Sequence, residues 1–464
     1  MNDGDLVWLP AHRLSAELGA GRLSPVDLVD ALLARIAAKE LKLHAFVEVH
    51  AAEARLAAEG ADRAIRSSHA VGPLHGIPIA LKDLIEIEGR TVTGGSAAWL
   101  ARKATRTATL ARRLVSQGMI VLGNTHTVEF AMGGWGTNTR QGTPWNPWDP
   151  NRARTPGGSS SGSGVVVAAG LAPWAIGTDT GGSVRLPASW CGITALKTSV
   201  GRISTHGVLP LSPSLDTPGP MTRSVEDAAL LYTALRGPDP QDPRTLGLPA
   251  DEVMAGLKRG VRGLRLARLP ERERGAAAPD VLAAYDASLG VLEGLGAEIV
   301  DLDLPRGLAD FAELNFRIMA AESYGLLHEL VDDPDAPLDP HVRPRIAAGK
   351  GIMAHEYLKA LADRETMKRA FASTISAVDA LLMPTTTTTA VPIEEADQAS
   401  GPAHFTRFAN YLDLCALALP NGVSAGGLPH SLQIVCRTYD EATALRVGWT
   451  YQEATDWHLR RPPV

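Results

Sequence analysis

The stretch from Gly157 to Ala188, GGSSSGSGVVVAAGLAPWAIGTDTGGSVRLPA, constrains this chain more than any other part of it. Two loops rich in glycine and serine, one carrying Ser159 and the other Ser183, are separated by a small apolar helical segment (164–169) and a short strand candidate (174–177). Residues this small suit a helix buried closely beneath both loops. Similar apolar strand candidates recur at 79–81, 120–122, 264–267, 298–300, 380–383 and 431–435, with helical runs such as 108–117 and 224–235 between most of them. Alternation of this kind predicts a layered α/β fold with helices on both faces of a sheet. Residues 11–66 read as helical, with Ser24-Pro25 as an N-cap followed by proline in the first turn, an apolar stripe of Leu28, Val29, Leu32, Leu33 and Ile36, and a second amphipathic helix over the alanine-rich run 51–66.

Composition narrows the classes of function. The 464 residues are 45% hydrophobic and carry a net charge of −6 without a basic stripe, so no nucleic-acid partner is expected. The three cysteines, Cys191, Cys415 and Cys436, are too widely spaced for a disulfide framework or a metal-binding pair. No run of about 18 apolar residues and no leader pattern occurs, so no membrane contact and a cytoplasmic location are expected. Phosphate-binding loops, nucleotide fingerprints and catalytic metal spacings are missing too; no cofactor and no metal are expected.

The two serine loops suit acyl transfer. A hydroxyl attacking an amide carbonyl builds negative charge on oxygen, and backbone N–H groups aimed at one point stabilise it; losing one such donor costs about 2.7–4 kcal/mol. The turn Thr180-Gly181-Gly182-Ser183 can present successive N–H groups to one point because glycine accepts the necessary dihedrals. A serine also needs a base, and none of the 13 histidines sits where it obviously pairs with either loop. A lysine serves if it is held neutral, which means lowering its pKa from about 10.4 to near neutrality, a cost of about 4 kcal/mol. Lys82, at the end of the apolar segment IPIAL, is the best-placed lysine for such desolvation.

These residues resemble the amidase signature family. The Gly158–Ala188 segment follows the family's glycine- and serine-rich pattern, and so do GIPIALKD around Lys82, EFAMGG around Met132, GTPWNPWDP, LDTPGPMTRSVEDAA and GLPHSLQIV. SSSG at 159–162 stands where the family often has SSGG, a change that many members tolerate. The resemblance covers nearly the whole chain and is weakest between about 236 and 375. It implies the amidase-signature fold, with a large mixed twisted sheet, in one domain over 1–464. The catalytic core would lie at about 70–235 and 376–464, and a variable substrate-pocket subregion at about 236–375. It also implies Ser183 as nucleophile, Ser159 as a relay entered through a cis peptide from Gly158, and Lys82 as terminal base. The N–H groups of Thr180, Gly181, Gly182 and Ser183 would form the oxyanion hole, and Met132, Gly133 and Gly134 would line the substrate pocket.

Other readings of these residues are weaker. GSSSG also fits a nucleophile elbow centred on Ser160, but that motif needs a preceding strand and NRARTP is not one. Asp179 is expected to brace its loop, and Arg185 to bind a substrate carboxylate or to pair with a nearby acid such as Asp179, while Asp216 and Arg223 are expected to brace the junction at Ser224. Cys191 reads as a buried structural thiol. Trp135, Phe316 and Tyr324 are candidate pocket walls, within segments 130–140, 300–375 and 394–410.

The leading expectation is an amidohydrolase acting on a small-molecule amide through an acyl-enzyme, with a homodimer as the family-level assembly. An alternative keeps the triad and changes the bond to a carbamate, urea-type compound or ester. A third is the amidase subunit of a tRNA-dependent amidotransferase. It is ranked lower because the stretch resembling SSNLARYDG that such subunits usually carry is replaced here by AAESYGLLHELVDD (320–333).

Overall fold

In the computed structural model, which describes residues 6–464, all seven strand candidates fall in one eleven-stranded sheet. In chain order the strands are β1 (Phe46–Val49), β2 (Pro78–Lys82), β3 (Ile120–Thr125), β4 (Trp174–Asp179), β5 (Thr194–Lys197), β6 (Thr217–Thr222), β7 (Arg265–Ala267), β8 (Glu298–Val300), β9 (Ala380–Pro384), β10 (Cys415–Val423) and β11 (Pro429–Cys436). Across the sheet they run β1-β3-β2-β4-β6-β5-β10-β11-β9-β7-β8. β2 lies parallel to both β3 and β4, and β7 is parallel to β8 and β9; the remaining pairs are antiparallel. This is the expected mixed α/β architecture, with helices on both faces.

The central strands are buried throughout because both of their faces are covered. Every residue of β2, β4, β9 and β11 is buried. Helix Pro25–Leu43 starts as its sequence dictates: Ser24 accepts the N–H of Val26 at 3.1 Å, Pro25 fills the first turn, and the five-residue apolar stripe is buried. Helix Ser161–Ala168 is buried along its whole length, between β2, β3 and β4 and helix Arg185–Cys191. Its small residues are needed there. A side chain on Gly162 would meet Ala45 O at 2.2 Å and His126 N at 2.4 Å.

The helical region 11–66 consists of three helices, Ala11–Gly19, Pro25–Leu43 and Ala51–Arg66, the last being the expected second amphipathic helix, and edge strand β1, for which no strand was expected, lies between the last two. β5, β6 and β10 also carried no strand signal. β6 reads TPGPMT, and proline cannot donate to a ladder. Its pairing with β5 is confined to Met221 and Thr222, beyond the two prolines.

Candidate active site

Lys82 is the last residue of β2, opposite Thr125 of β3, and is wholly inaccessible to solvent. Its Nζ donates to Ser159 Oγ at 2.7 Å and to Thr178 Oγ1 at 2.8 Å. Burial pushes the amine down to about 7, against the opposing pull of the Asp216 and Asp179 carboxylates. A neutral amine is therefore well populated near neutral pH, with one lone pair available to take a proton.

Ser159 follows a cis Gly158–Ser159 peptide bond. The loop tolerates only glycine before it: a Cβ on Gly158 would meet Gly136 N at 2.6 Å and Gly133 O at 2.8 Å. The neighbouring serines hold structure. Ser160 Oγ donates to the carbonyl of Thr178 and accepts its N–H, both at 3.2 Å, while Ser163 Oγ bonds Thr125 Oγ1 at 2.7 Å. Ser160 lies just ahead of a buried helix, with no strand before it, so the nucleophile-elbow reading has no support. The Ser160 N–H also donates to the carbonyl of Ser183 at 3.2 Å, which ties the two serine loops together.

The second loop is set by Asp179 at the end of β4. Its carboxylate accepts the N–H of Gly182 at 2.7 Å and that of Val184 at 3.1 Å. Burial alone would raise this carboxyl, but Arg185, hydrogen-bonded to it, holds it well below the usual carboxylate range. Arg185 is fully buried and fully matched, also donating to Gln433 Oε1, Asn410 Oδ1 and the carbonyl of Thr406. The expected bracing role of Asp179 and its pairing with Arg185 are thus present. Convergence of all four N–H groups is not. The Gly182 N–H is committed to Asp179, so Gly182 departs from the expected oxyanion set. The N–H groups of Gly181 and Ser183 alternate with the two tied ones.

Asp216 and Arg223 also differ from expectation. Asp216 accepts Thr180 Oγ1 at 2.5 Å and the N–H groups of Leu211 and Ser212 at 2.9 Å each, beneath the Ser183 loop. Burial raises it to about 6. Arg223 donates to the carbonyls of Val7, Leu9 and Val167. The junction at Ser224 is instead capped by its own hydroxyl, which accepts the N–H of Asp227.

Ser183 opens onto a cavity of about 310 Å³ whose walls include Met132, Gly133, Gly134, Thr180 and Gly181 but not Gly182. Lys82 and Ser159 are joined directly, among the hydrogen bonds of the described residues none involves Ser183 Oγ, and the printed link between the two loops is the Ser160 N–H to the Ser183 carbonyl. Phe130 and Ala131, just before Met132, adopt positive φ of 47° and 61°, strain of a kind that collects at functional sites. Of the candidate walls only Phe316 lines the cavity. Trp135 stacks on Trp190 and Tyr324 bonds Asp332 at the surface. Sequence reasoning singled out none of Thr178, Asn315, Arg345 and Arg407, although the last three fall within the segments 300–375 and 394–410 expected to line the pocket. For Thr178 the GTDT segment gave a signal; for the others nothing in the local pattern did. Cys191 is buried and its thiol pushed up by burial, as expected of a structural residue. No helix among the described residues is long and apolar enough to cross a membrane.

A family model described as Amidase matches residues 27–445. A glutamyl-tRNA(Gln) amidotransferase subunit from Chloroflexus aggregans is 37% identical over 99% of this chain and 99% of its own length. Its counterpart from Roseiflexus castenholzii is 38% identical over 99% of this chain and 98% of its own. Among solved structures, the peptide amidase from Stenotrophomonas maltophilia aligns with a TM-score of 0.88 at 31% identity, covering 98% of both chains. A chain from a vestigial protein complex that bears on the origins of an s-triazine catabolic enzyme aligns at 0.89 and 30%, over 96% of this chain and 98% of its own. These relatives overturn the expectation of a small-molecule amide or carbamate substrate, no nucleic acid and a homodimer. Proteins matching this chain end to end are named as one subunit of an enzyme acting on glutamyl-tRNA(Gln). The inference from charge fails for a physical reason: one component of an assembly need not itself carry the basic surface.

Proposed function

Because the chain belongs to the amidase signature family, we propose that it cleaves an amide C–N bond through an acyl-enzyme on Ser183, working as the amidase subunit of a tRNA-dependent amidotransferase. One observation carries the chemistry: a fully buried amine, lowered to about 7, is hydrogen-bonded to Ser159 Oγ at 2.7 Å. As Ser183 Oγ bonds to the carbonyl carbon, its proton passes to Ser159 Oγ and that of Ser159 passes to Lys82. The oxygen of the tetrahedral adduct takes its hydrogen bonds from the N–H groups of Thr180, Gly181 and Ser183, the members of the expected set that Asp179 leaves free. Lys82 then returns a proton to Ser159 Oγ as Ser159 passes its own to the leaving nitrogen, the C–N bond breaks, and water attacks the Ser183 ester with its proton taken up through the same relay. Thr178 holds the amine between the two loops. The whole chain acts as one amidase domain, and the variable subregion at about 236–375 contributes Asn315, Phe316 and Arg345 to the cavity.

The subunit role is supported by end-to-end similarity to proteins of that name. It is also supported by a second cavity of about 300 Å³ that touches Thr178 and Asp216 and shares Ala131 and Leu211 with the first. That space offers released ammonia a path away from the Ser183 mouth. Ammonia release from primary amides, measured for the purified chain alone and with partner subunits and glutamyl-tRNA, tests both halves. Turnover rising roughly tenfold or more on assembly is expected. Full turnover alone, unaltered by partners, excludes the subunit role, and activity surviving Ser183→Ala excludes the chemistry.

A further inference from the structure

Trp135 does not line the cavity, yet its contacts lead to the wall. Its ring stacks on the buried Trp190, with centroids 5.5 Å apart and planes 20° apart, and Trp190 Nε1 donates to the carbonyl of Thr388 at 2.9 Å. Seated on that ring, the Trp135 indole has a single N–H. It is shared between the carbonyls of Asp397 at 2.9 Å and Ser400 at 3.1 Å. The segment held in this way borders the substrate space: Ala399, Ser400, Gly401, Pro402 and Ala403 all line the cavity into which Ser183 opens.

Residues 397–401 contain no helix or strand, and four of the five are exposed. Among the hydrogen bonds of the described residues, three side chains outside the segment tie it to the rest of the protein. Trp135 is the first. Thr137 Oγ1 accepts from Gln398 Nε2 at 3.0 Å, and Arg345 donates to the Gln398 carbonyl at 2.6 Å while also donating to that of Met132 at 3.1 Å. Pro402 packs on Gly134, where a Cβ would come within 2.9 Å of its Cδ. Segment 132–137 is therefore the seat on which 397–402 rests. The relay loop is tied to the same seat, the Gly158 N–H donating to the Gly134 carbonyl at 2.8 Å, but it is held elsewhere too, by the Val128 N–H on the Ser159 carbonyl at 3.2 Å. A segment with so few ties is seated or unseated by the loss of one of them, while the relay keeps its geometry.

We propose that Trp135 is a positioning residue for substrate binding: its indole N–H keeps segment 397–401 seated as a wall of the Ser183 cavity, and so sets how tightly the acyl portion of the substrate is gripped. A primary amide loses only ammonia, so everything such a wall can grip belongs to the acyl portion. Apparent affinity falls with the fraction of molecules whose wall is in place. This assignment rests on acyl transfer at Ser183 but is tested separately from it.

Trp135→Phe keeps a ring on Trp190 and removes the N–H; Thr137→Val removes the acceptor of Gln398 at a second point, and neither residue lines the cavity. In limited proteolysis of the full chain by subtilisin, with cuts located by mass spectrometry, cleavage within 397–401 should quicken roughly three- to tenfold in Trp135→Phe and cuts elsewhere should not change. In stopped-flow acylation, the preference for p-nitrophenyl hexanoate over p-nitrophenyl acetate should fall by a similar factor. The shared leaving group cancels in that ratio, and the loss should lie in the half-saturating concentration rather than in the limiting rate. Thr137→Val should move both readouts in the same direction. Unaltered cleavage within 397–401, an unaltered ester ratio, or a loss confined to the limiting rate overturns the proposal. Failure of a fluorophosphonate to label Ser183 would instead sink the acyl-transfer reading, and proteolysis, which needs no turnover, would still judge Trp135.

Discussion

Replacing Lys82 with methionine removes the titrating amine while keeping an unbranched chain of similar length in the same apolar slot. The amine falls from 10.5 when solvated to about 7 in the fold. The unfolded chain therefore binds more protons across that window, and the native state gains stability as pH rises through it. Above 10.5 the amine is neutral in both states and the penalty vanishes; below 7 it is charged in both and the penalty is complete. The penalty is roughly 4 kcal/mol at pH 7 and roughly 2 kcal/mol at pH 9. Loss of the hydrogen bonds to Ser159 and Thr178 costs the variant about 1–3 kcal/mol for each hydroxyl left unpaired, but equally at both pH values, so it cancels in the comparison. Urea unfolding of both proteins at pH 7 and pH 9 should show the wild type gaining about 2 kcal/mol on Lys82→Met over that interval. A gap that does not move with pH would refute the claim that this amine is neutral in the native state.

Other expectations follow from the same contacts. The Asp216 carboxylate favours the charged form of Lys82, so Asp216→Asn should move the pH midpoint of Ser183 acylation to lower pH, read from stopped-flow acylation rates; a move to higher pH contradicts the assignment. Asp179→Asn leaves the Arg185 guanidinium uncompensated and should cost about 3–5 kcal/mol in urea unfolding at pH 7. Gly182 has φ +133° and a Cβ there would meet Thr406 Oγ1 at 2.4 Å, so Gly182→Ala should displace the loop and slow acylation roughly tenfold or more; an unchanged rate would show the loop geometry to be unimportant.

Local patterns made the strand-end lysine and the two serine loops legible, because each rests on backbone demands written into consecutive residues, whereas the glycine-lined wall followed from the family resemblance alone. Ile79-Ala80-Leu81 announces a buried strand, and the lysine after it inherits that dry environment. β6 was hidden because Pro218 and Pro220 mimic a loop, and β1 because four residues between long helices leave too short an alternation. The commitment of the Gly182 N–H to Asp179 depends on dihedrals that glycine permits without dictating. Arg407 and Arg345 reach the cavity from segments far from Ser183 in the chain, and only tertiary packing puts them on one wall. The partner expectation failed since net charge describes one chain and not an assembly.

The most direct test is the pH dependence of the rate at which an activated ester acylates Ser183, with the adduct located by mass spectrometry. The rate should climb about tenfold per pH unit below about 7 and then level off, as the Lys82 amine becomes neutral. A rate independent of pH between about 5 and 9, or an adduct on any residue other than Ser183, would contradict activation of that hydroxyl by Lys82 through Ser159.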